Sequence, residues 1–167
     1  MLENKCFKKL VIDKDMAEVI IRENYMYIYK YCYYHLENRD AAQDITQDVF
    51  LKFLKEIDRY REYGKLKNYL YVIAKNSIRD YIRKTKEISL YAVSENCDSG
   101  GIDKKLDQIS VWEALNSLEE TEKDIVILRY YQDMRIKSIS QVMDIPASTV
   151  RYKLKSAEKK LKKRLEM

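Results

Sequence analysis

The sequence predicts an all-α fold: two small helical domains joined by a flexible linker. Three observations point there. Among 167 residues only three are Gly and one is Pro, whereas strand-rich folds with tight turns need more of both. Apolar residues recur at steps of three and four over long stretches, the period of a helix with one buried face. A polar, turn-rich cluster, Ser94, Glu95, Asn96, Asp98, Ser99, Gly100 and Gly101, separates two such stretches. The expected boundaries are 1–86 for the first domain, 87–109 for an acidic linker and 110–167 for the second domain.

The first helix is expected from about Lys14 to Leu36, with Asp15 as its cap and Glu18 three residues on as the capping-box partner. Ala17, Ile21, Tyr25, Ile28, Cys32 and Leu36 form its apolar stripe. The second runs from about Asp40 to Ile57, with Asp40 and Gln43 as the next capping pair. Its apolar line is Ala42, Ile45, Val49, Phe53 and Ile57, and Asp44, Gln47 and Asp48 present acidic and polar groups on another face. Residues 58–65 read as a loop punctuated by Gly64 and carrying Tyr60 and Tyr63. The third helix is expected from about Leu66 to Lys86, buried along Leu66, Leu70, Ile73, Ala74, Ile78, Tyr81 and Ile82. Lys75, Arg79, Arg83 and Lys86 recur at helical steps and are expected to line one exposed ridge. Periodicity resumes with Val111, Trp112, Leu115 and Leu118, then Ile125, Val126, Leu128 and Tyr131.

Charge is unevenly spread. Residues 65–86 hold seven Lys/Arg against one acidic residue, residues 147–167 hold eight against two, and residues 87–109 hold two against five. Two basic segments suggest two contact points on a polyanion, and on charge alone a pair of solvated helix faces is an equal reading. The 15 tyrosines need hydroxyl partners where buried, which favours helix edges and interfaces. Three cysteines, Cys6, Cys32 and Cys97, have no repeated spacing, and an unpaired set suits a reducing compartment. With no signal-peptide core and no apolar run of about 20 residues, the chain is expected to be cytoplasmic and not inserted in a membrane.

Residues 135–165 carry the sharpest motif. A short helix with Ile139, Val142 and Met143 inward breaks at Asp144, Ile145 plugs a corner, and Pro146 and Ala147 open a second helix. Val150, Leu154, Ala157 and Leu161 are its buried stripe. Ser148, Thr149, Arg151, Tyr152 and Lys155 then point outward from its first turns, as a recognition helix requires. A helical hairpin with a basic outer face is the plain alternative, but small Ser140, the three-residue corner and the apolar pattern match a helix-turn-helix together. Asp144 stands where such corners usually carry Gly, and Asp tolerates the left-handed conformation better than most residues.

No catalytic constellation is visible. His35 is the only histidine, which leaves no Ser/His/Asp or Cys/His set. Its neighbour Cys32 lacks further ligands at zinc-site spacing, and the three glycines form no phosphate loop. Neither metal, cofactor nor small-molecule substrate is expected, and the chain is read as a non-enzyme.

The residues also resemble a known family, the bacterial sigma-70 type RNA polymerase sigma factors of the short extracytoplasmic-function group. Asp44-Ile45-Thr46-Gln47-Asp48-Val49-Phe50-Leu51-Lys52-Phe53 resembles one family segment. Tyr69-Leu70-Tyr71-Val72-Ile73-Ala74-Lys75-Asn76 with Asp80-Tyr81-Ile82-Arg83 resembles a second, with Tyr69 where the family usually has Trp. Ala114 to Leu161 resembles the family's region four. The resemblance implies that Asp44, Gln47 and Asp48 dock on the clamp helices of the polymerase largest subunit and that region four meets the flap. It implies that Tyr60, Tyr63, Lys75, Asn76, Arg79 and Arg83 hold the −10 element of promoter DNA. Ser148, Thr149, Arg151, Tyr152 and Lys155 would read the −35 element. An anti-sigma partner is expected on the same ground. The competing reading is a free-standing helix-turn-helix regulator that binds an operator without polymerase, which leaves the acidic face and the first basic helix without work.

Overall fold

The computed structural model describes residues 14–57, 65–91 and 106–165. Seven α-helices run in the order α1 (Lys14–Leu36), α2 (Arg39–Glu56), α3 (Leu66–Tyr91), α4 (Leu106–Asn116), α5 (Glu120–Val126), α6 (Ile136–Met143) and α7 (Ala147–Leu165). A π-helical turn, Ile127–Tyr131, continues α5. Among the described residues there is no strand, and no helix is long and apolar enough to cross a membrane.

Helices α1, α2 and α3 form an N-terminal bundle. Ile28, Tyr31 and Cys32 of α1, Ala42, Val49 and Phe53 of α2, and Leu70, Tyr71 and Ala74 of α3 are almost wholly buried. Each large side chain so buried contributes about 1.5–3 kcal/mol of transfer free energy. Cys32 packs as a small hydrophobe, and burial pushes its thiol up to about 12, which keeps it unreactive.

The expected caps move. Asp15 lies inside the first turn of α1, where a carboxylate favours the positive end of the helix. α2 is capped by Asn38, whose extended backbone lets its side chain accept from Ala41 N at 2.9 Å. Asp40, the expected cap, also falls within the first turn. The chain reaches Asn38 through Glu37, at φ 53°, whose N–H donates to Tyr33 O and closes α1.

Two expectations for α3 need correction. The helix continues to Tyr91, five residues into the expected linker. Tyr81, expected on the buried side, is exposed, whereas Tyr71 is fully buried. Tyr71 meets Tyr31 edge-on at 5.3 Å between centroids, so the packed face of α3 is rotated toward α1 from the apolar line. The loop tyrosines Tyr60 and Tyr63 and the polar cluster from Ser94 to Gly101 lie outside the described residues.

In the C-terminal domain, α4, α5 and α7 enclose Leu115, Leu118, Val126 and Ala157. Ile125, Ile127, Leu128, Ile139, Val142 and Val150 instead join one apolar cluster with the N-terminal bundle. The two domains therefore pack on each other.

The helix-turn-helix corner is local chemistry. Asp144 adopts the left-handed conformation, φ 55°, ψ 45°. Ser140 Oγ donates to Ile145 O at 2.6 Å, and Ile145 N donates to Ser140 O at 3.2 Å. Val150 N then bonds Pro146 O, which starts α7. Ser140 thus suits this position because it is small and because its hydroxyl ties the corner. Asp144→Val places a β-branched residue at positive φ and should cost about 1–2 kcal/mol, while Asp144→Gly should hold or raise stability. Urea unfolding followed by circular dichroism measures both; equal stabilities would mean that the corner does not depend on the left-handed residue.

Candidate nucleic-acid interface

The proposed reading helix α7 is held from behind. Glu122 on α5 is buried yet accepts from Ser156 Oγ at 2.8 Å and Lys160 Nζ at 2.7 Å, both on α7. Burial alone would raise its carboxyl, but the Lys160 ammonium and the Ser156 hydroxyl outweigh it and hold the group below the usual carboxylate range. Lys153 adds an exposed pair with Glu119 at 3.4 Å, and Tyr130 OH donates to Glu158. Arg129 Nη1 braces the turn before α6 by donating to Met134 O at 3.0 Å.

These ties leave the opposite side of α7 open. Ser148, Arg151 and Lys155 are exposed, Thr149 is half-buried, and Tyr152 is 76% exposed. The expected buried stripe divides into buried Val150 and Ala157 and half-buried Leu154 and Leu161. Ser148, Arg151, Tyr152 and Lys155 therefore share one accessible face at the start of α7, and Thr149, seven residues before Ser156, falls at its edge toward α5.

The ridge on α3 is different. Asn76, Arg79 and Arg83 are exposed. Arg83 pairs with Asp80 at 3.1 Å, and Arg79 reaches Glu120 of the C-terminal domain at 4.0 Å. Lys75 is not on the exposed ridge: it is 7% exposed and donates from Nζ to Val142 O, at the end of α6, at 2.7 Å. Burial pulls its ammonium below the ordinary lysine value, with Arg79 adding to the effect. Helical spacing puts Lys75 in line with Arg79 and Arg83, but α6 packs over the start of the ridge and covers it. The remaining ridge borders a cleft of about 760 Å³, lined by Arg79, Arg83 and Lys86 on one side and by Leu118, Glu120 and Lys123 on the other.

The contact between domains is built on buried polar groups that sequence reasoning missed. Asp124, 2% exposed, accepts from Tyr31 OH at 2.8 Å and lies 2.9 Å from His35 Nε2. The approach is close but His35 Nε2 makes no hydrogen bond there, so Tyr31 is the side-chain donor to this carboxylate, and Gln132 Nε2 is likewise buried without a partner. Tyr71 OH donates to Gln132 Oε1 at 2.6 Å. At the rim, Asn68 donates to Gln141 at 2.9 Å and Asn116 to Glu37 at 2.6 Å. Trp112 stacks on Tyr34 at 5.2 Å and meets Tyr33 edge-on. The abundance of tyrosine was the available signal, because a buried hydroxyl requires a partner.

On α2, Asp44 and Gln47 are exposed. Asp48 pairs with Lys52 at 2.7 Å, and Lys52 also donates to Ser77 Oγ on α3 at 2.9 Å. Leu51, 55% exposed, and Leu54 extend the same face, which makes it mixed acidic and apolar rather than purely polar.

An outward, cation-bearing helix face on a docked two-domain helical frame suits contact with a polyanion, and comparison with known proteins gives the class. The Sigma-70 region 2 model matches residues 20–88, and the Sigma-70, region 4 model matches residues 108–161. The chain belongs to the sigma-70 family of RNA polymerase sigma factors, in its extracytoplasmic-function (ECF) group. It is 27% identical over 154 residues to RNA polymerase sigma factor SigV of Bacillus subtilis (strain 168), covering 91% of this chain and 92% of that one. It is 27% identical over 155 residues to ECF RNA polymerase sigma factor SigW of the same organism, covering 83% and 82%. The fold is similar to that of the sigma factor RpoE in its complex with the anti-sigma factor NepR from Bartonella quintana. The TM-score is 0.77 at 19% identity, over 93% of this chain and 99% of that one. It is also similar to CnrH in complex with the cytosolic domain of CnrY, with a TM-score of 0.72 at 15% identity over 92% and 90%.

The Glu122 anchor has a pH signature. A carboxyl depressed in the folded state contributes stability that is fully present above its unfolded value, about 4.3, and is lost as pH falls through the lower folded value. Glu122→Gln should therefore lower the melting temperature at neutral pH, with the gap to the unaltered protein closing as pH drops below about 4. Thermal melts across that range test it, and a gap that stays constant with pH would contradict the charged anchor.

Proposed function

We propose that this chain is a promoter-specificity subunit that works in the cytoplasm with core RNA polymerase and has no catalytic step of its own. The observation that carries the reading is the presence of both family regions, in order, across most of the chain, combined with an outward, cation-bearing face at the start of α7. A regulator acting without polymerase has no use for the first region. In this reading the polymerase supplies the chemistry, and the chain supplies recognition and strand separation.

The roles divide by face. Ser148, Thr149, Arg151, Tyr152 and Lys155 read the −35 duplex: Arg151 suits a bidentate guanine contact, and Lys155 suits a phosphate. Asn76, Arg79 and Arg83, with Tyr60 and Tyr63 of the preceding loop, hold the −10 strand by phosphate contact and by stacking on an unpaired base. Asp44, Gln47 and Asp48, with Leu51 and Leu54 beside them, dock on the clamp helices of the polymerase largest subunit, the carboxylates toward arginine. The domain around α4 and α7 meets the flap. The similar structure of RpoE bound to the anti-sigma factor NepR supports the expectation that this chain, too, is held by an anti-sigma partner.

Run-off transcription over genomic fragments with purified core tests the whole reading, and absence of chain-dependent transcripts would overturn it. Two variants separate the faces. Arg151→Ala should cost about 1–3 kcal/mol in binding the −35 duplex from a promoter found this way without changing affinity for core. Asp44→Arg should weaken core binding about tenfold or more without changing duplex binding. Mobility shifts and core co-purification read the two effects, and a variant that moved both together would break the division of labour.

A further inference from the structure

The cleft between α3 and the start of the C-terminal domain has the build of a small-ligand site. Cations from two domains line one concavity of about 760 Å³, and pockets for small molecules run from about 300 to 1,000 Å³. Arg79 and Arg83 stand on the wall from α3, and Lys123 stands on the wall from α5. Ile82 of the first wall and Leu118 of the second add apolar surface. The counter-charge is light: Glu87 and Glu120 are the carboxylates of the lining, against Arg79, Arg83, Lys86 and Lys123.

The cations keep donors to spare. Arg79 Nε lies 4.0 Å from Glu120 Oε1, beyond hydrogen-bond reach. Arg83 gives Nη2 to Asp80 at 3.1 Å, one of the several N–H donors of its guanidinium fork. Lys123 donates to Asn116 Oδ1 at 2.6 Å, while the Glu37 carboxylate stays 3.9 Å away. The Lys123 side chain is 14% exposed. Burial pulls its ammonium below the ordinary lysine value, against the pull of Glu37 and Asp124. A partly desolvated ammonium with one short bond gains from a further anion. His35 lines the same cleft; its side chain is 8% exposed and its Nε2 has no hydrogen-bond partner. Buried polar atoms left so are rare in folded proteins.

We propose that this cleft binds a nucleoside polyphosphate, its phosphates held between Arg79, Arg83 and Lys123 and its base laid against Ile82 and Leu118. The lining selects the ligand class. Guanidinium forks match the paired oxygens of a phosphate. Cations on two walls suit charge spread over adjacent phosphates better than a single carboxylate. Apolar surface beside them suits a flat heterocycle. Such a site does not depend on the promoter-specificity reading, since Lys123 has no part in the roles assigned to DNA or to polymerase.

Titration calorimetry on the full chain tests it, with ATP, GTP and inorganic triphosphate as probes at low ionic strength. At least one nucleotide should bind about threefold or more tighter than inorganic triphosphate, through contact of its base. Lys123→Gln should weaken nucleotide binding about fivefold or more, through loss of the partly buried cation. Glu120→Gln should tighten it about twofold or more, by removing a carboxylate that competes for Arg79. A gain of affinity cannot come from a variant damaged in folding. Lys163→Gln removes an exposed charge near the end of α7, outside the lining, and should leave binding unchanged. The ring resonances of His35, the only histidine, should move with nucleotide and saturate at the same affinity.

Absence of saturable binding by every probe would overturn the proposal. Lys163→Gln weakening binding as much as Lys123→Gln would mean attraction to the basic chain as a whole, and would overturn the site. His35 resonances that stay fixed through a saturating titration would do the same, by placing the ligand elsewhere. Nucleotides bound no better than inorganic triphosphate would overturn the nucleoside assignment.

Discussion

A carboxylate buried between two helical domains must be met by donors, and Asp124 is the point from which the arrangement of this chain follows. It projects from α5 into the N-terminal bundle, where it accepts from Tyr31 of α1 and lies 2.9 Å from His35 of the same helix. Those partners are one helical turn apart, so the carboxylate fixes both the position of α5 along α1 and its rotation. The π-helical turn then carries Gln132 to Tyr71 of α3, and α6 is set down with its last carbonyls over Lys75. Apolar contact alone would tolerate sliding between these helices. Directional bonds to buried groups do not, because a misregistered dock leaves the Asp124 carboxylate without its Tyr31 donor.

The same constraint decides how α7 is presented. Its inner stripe packs on α4 and α5, and Glu122 grips it through Ser156 and Lys160. With α5 held on the bundle by Asp124, a single residue, Lys123, separates the carboxylate that faces the bundle from the one that faces α7. Asp124 and Glu122 lie on different sides of one short helix, so α5 acts as the coupling piece between the two domains. The reading face is outward as the geometric consequence of two opposed carboxylates.

Much of this was legible in the residues. Helical periodicity marked α1 and α3 at their starts and the corner at Asp144, because apolar spacing and backbone preference are local properties. The outward face of α7 was legible for the same reason: once Val150 and Ala157 point inward, Arg151, Tyr152 and Lys155 must point elsewhere. What periodicity does not carry is which polar residue a second domain will cover. Lys75 obeys the spacing of Arg79 and Arg83 and is buried all the same, through contact with α6 some 67 residues away in sequence. Asp124 and Gln132 carry no local mark that separates them from solvated residues. The face of α2 was legible in its charges but not in its apolar part, since Leu51 and Leu54 fit a buried line as well as an exposed one until the packing of Phe53 and Val49 is known.

The polar character of the dock also bears on what can open it. Apolar interfaces resist separation because both faces must be hydrated at a cost proportional to area. Here part of that cost is returned, since Asp124, Lys75 and Gln132 are each better solvated by water than by a low-dielectric interior. The buried lysine shows the balance: in the dock its ammonium, with three donors, has the Val142 carbonyl as its hydrogen-bond partner, whereas water would meet all three.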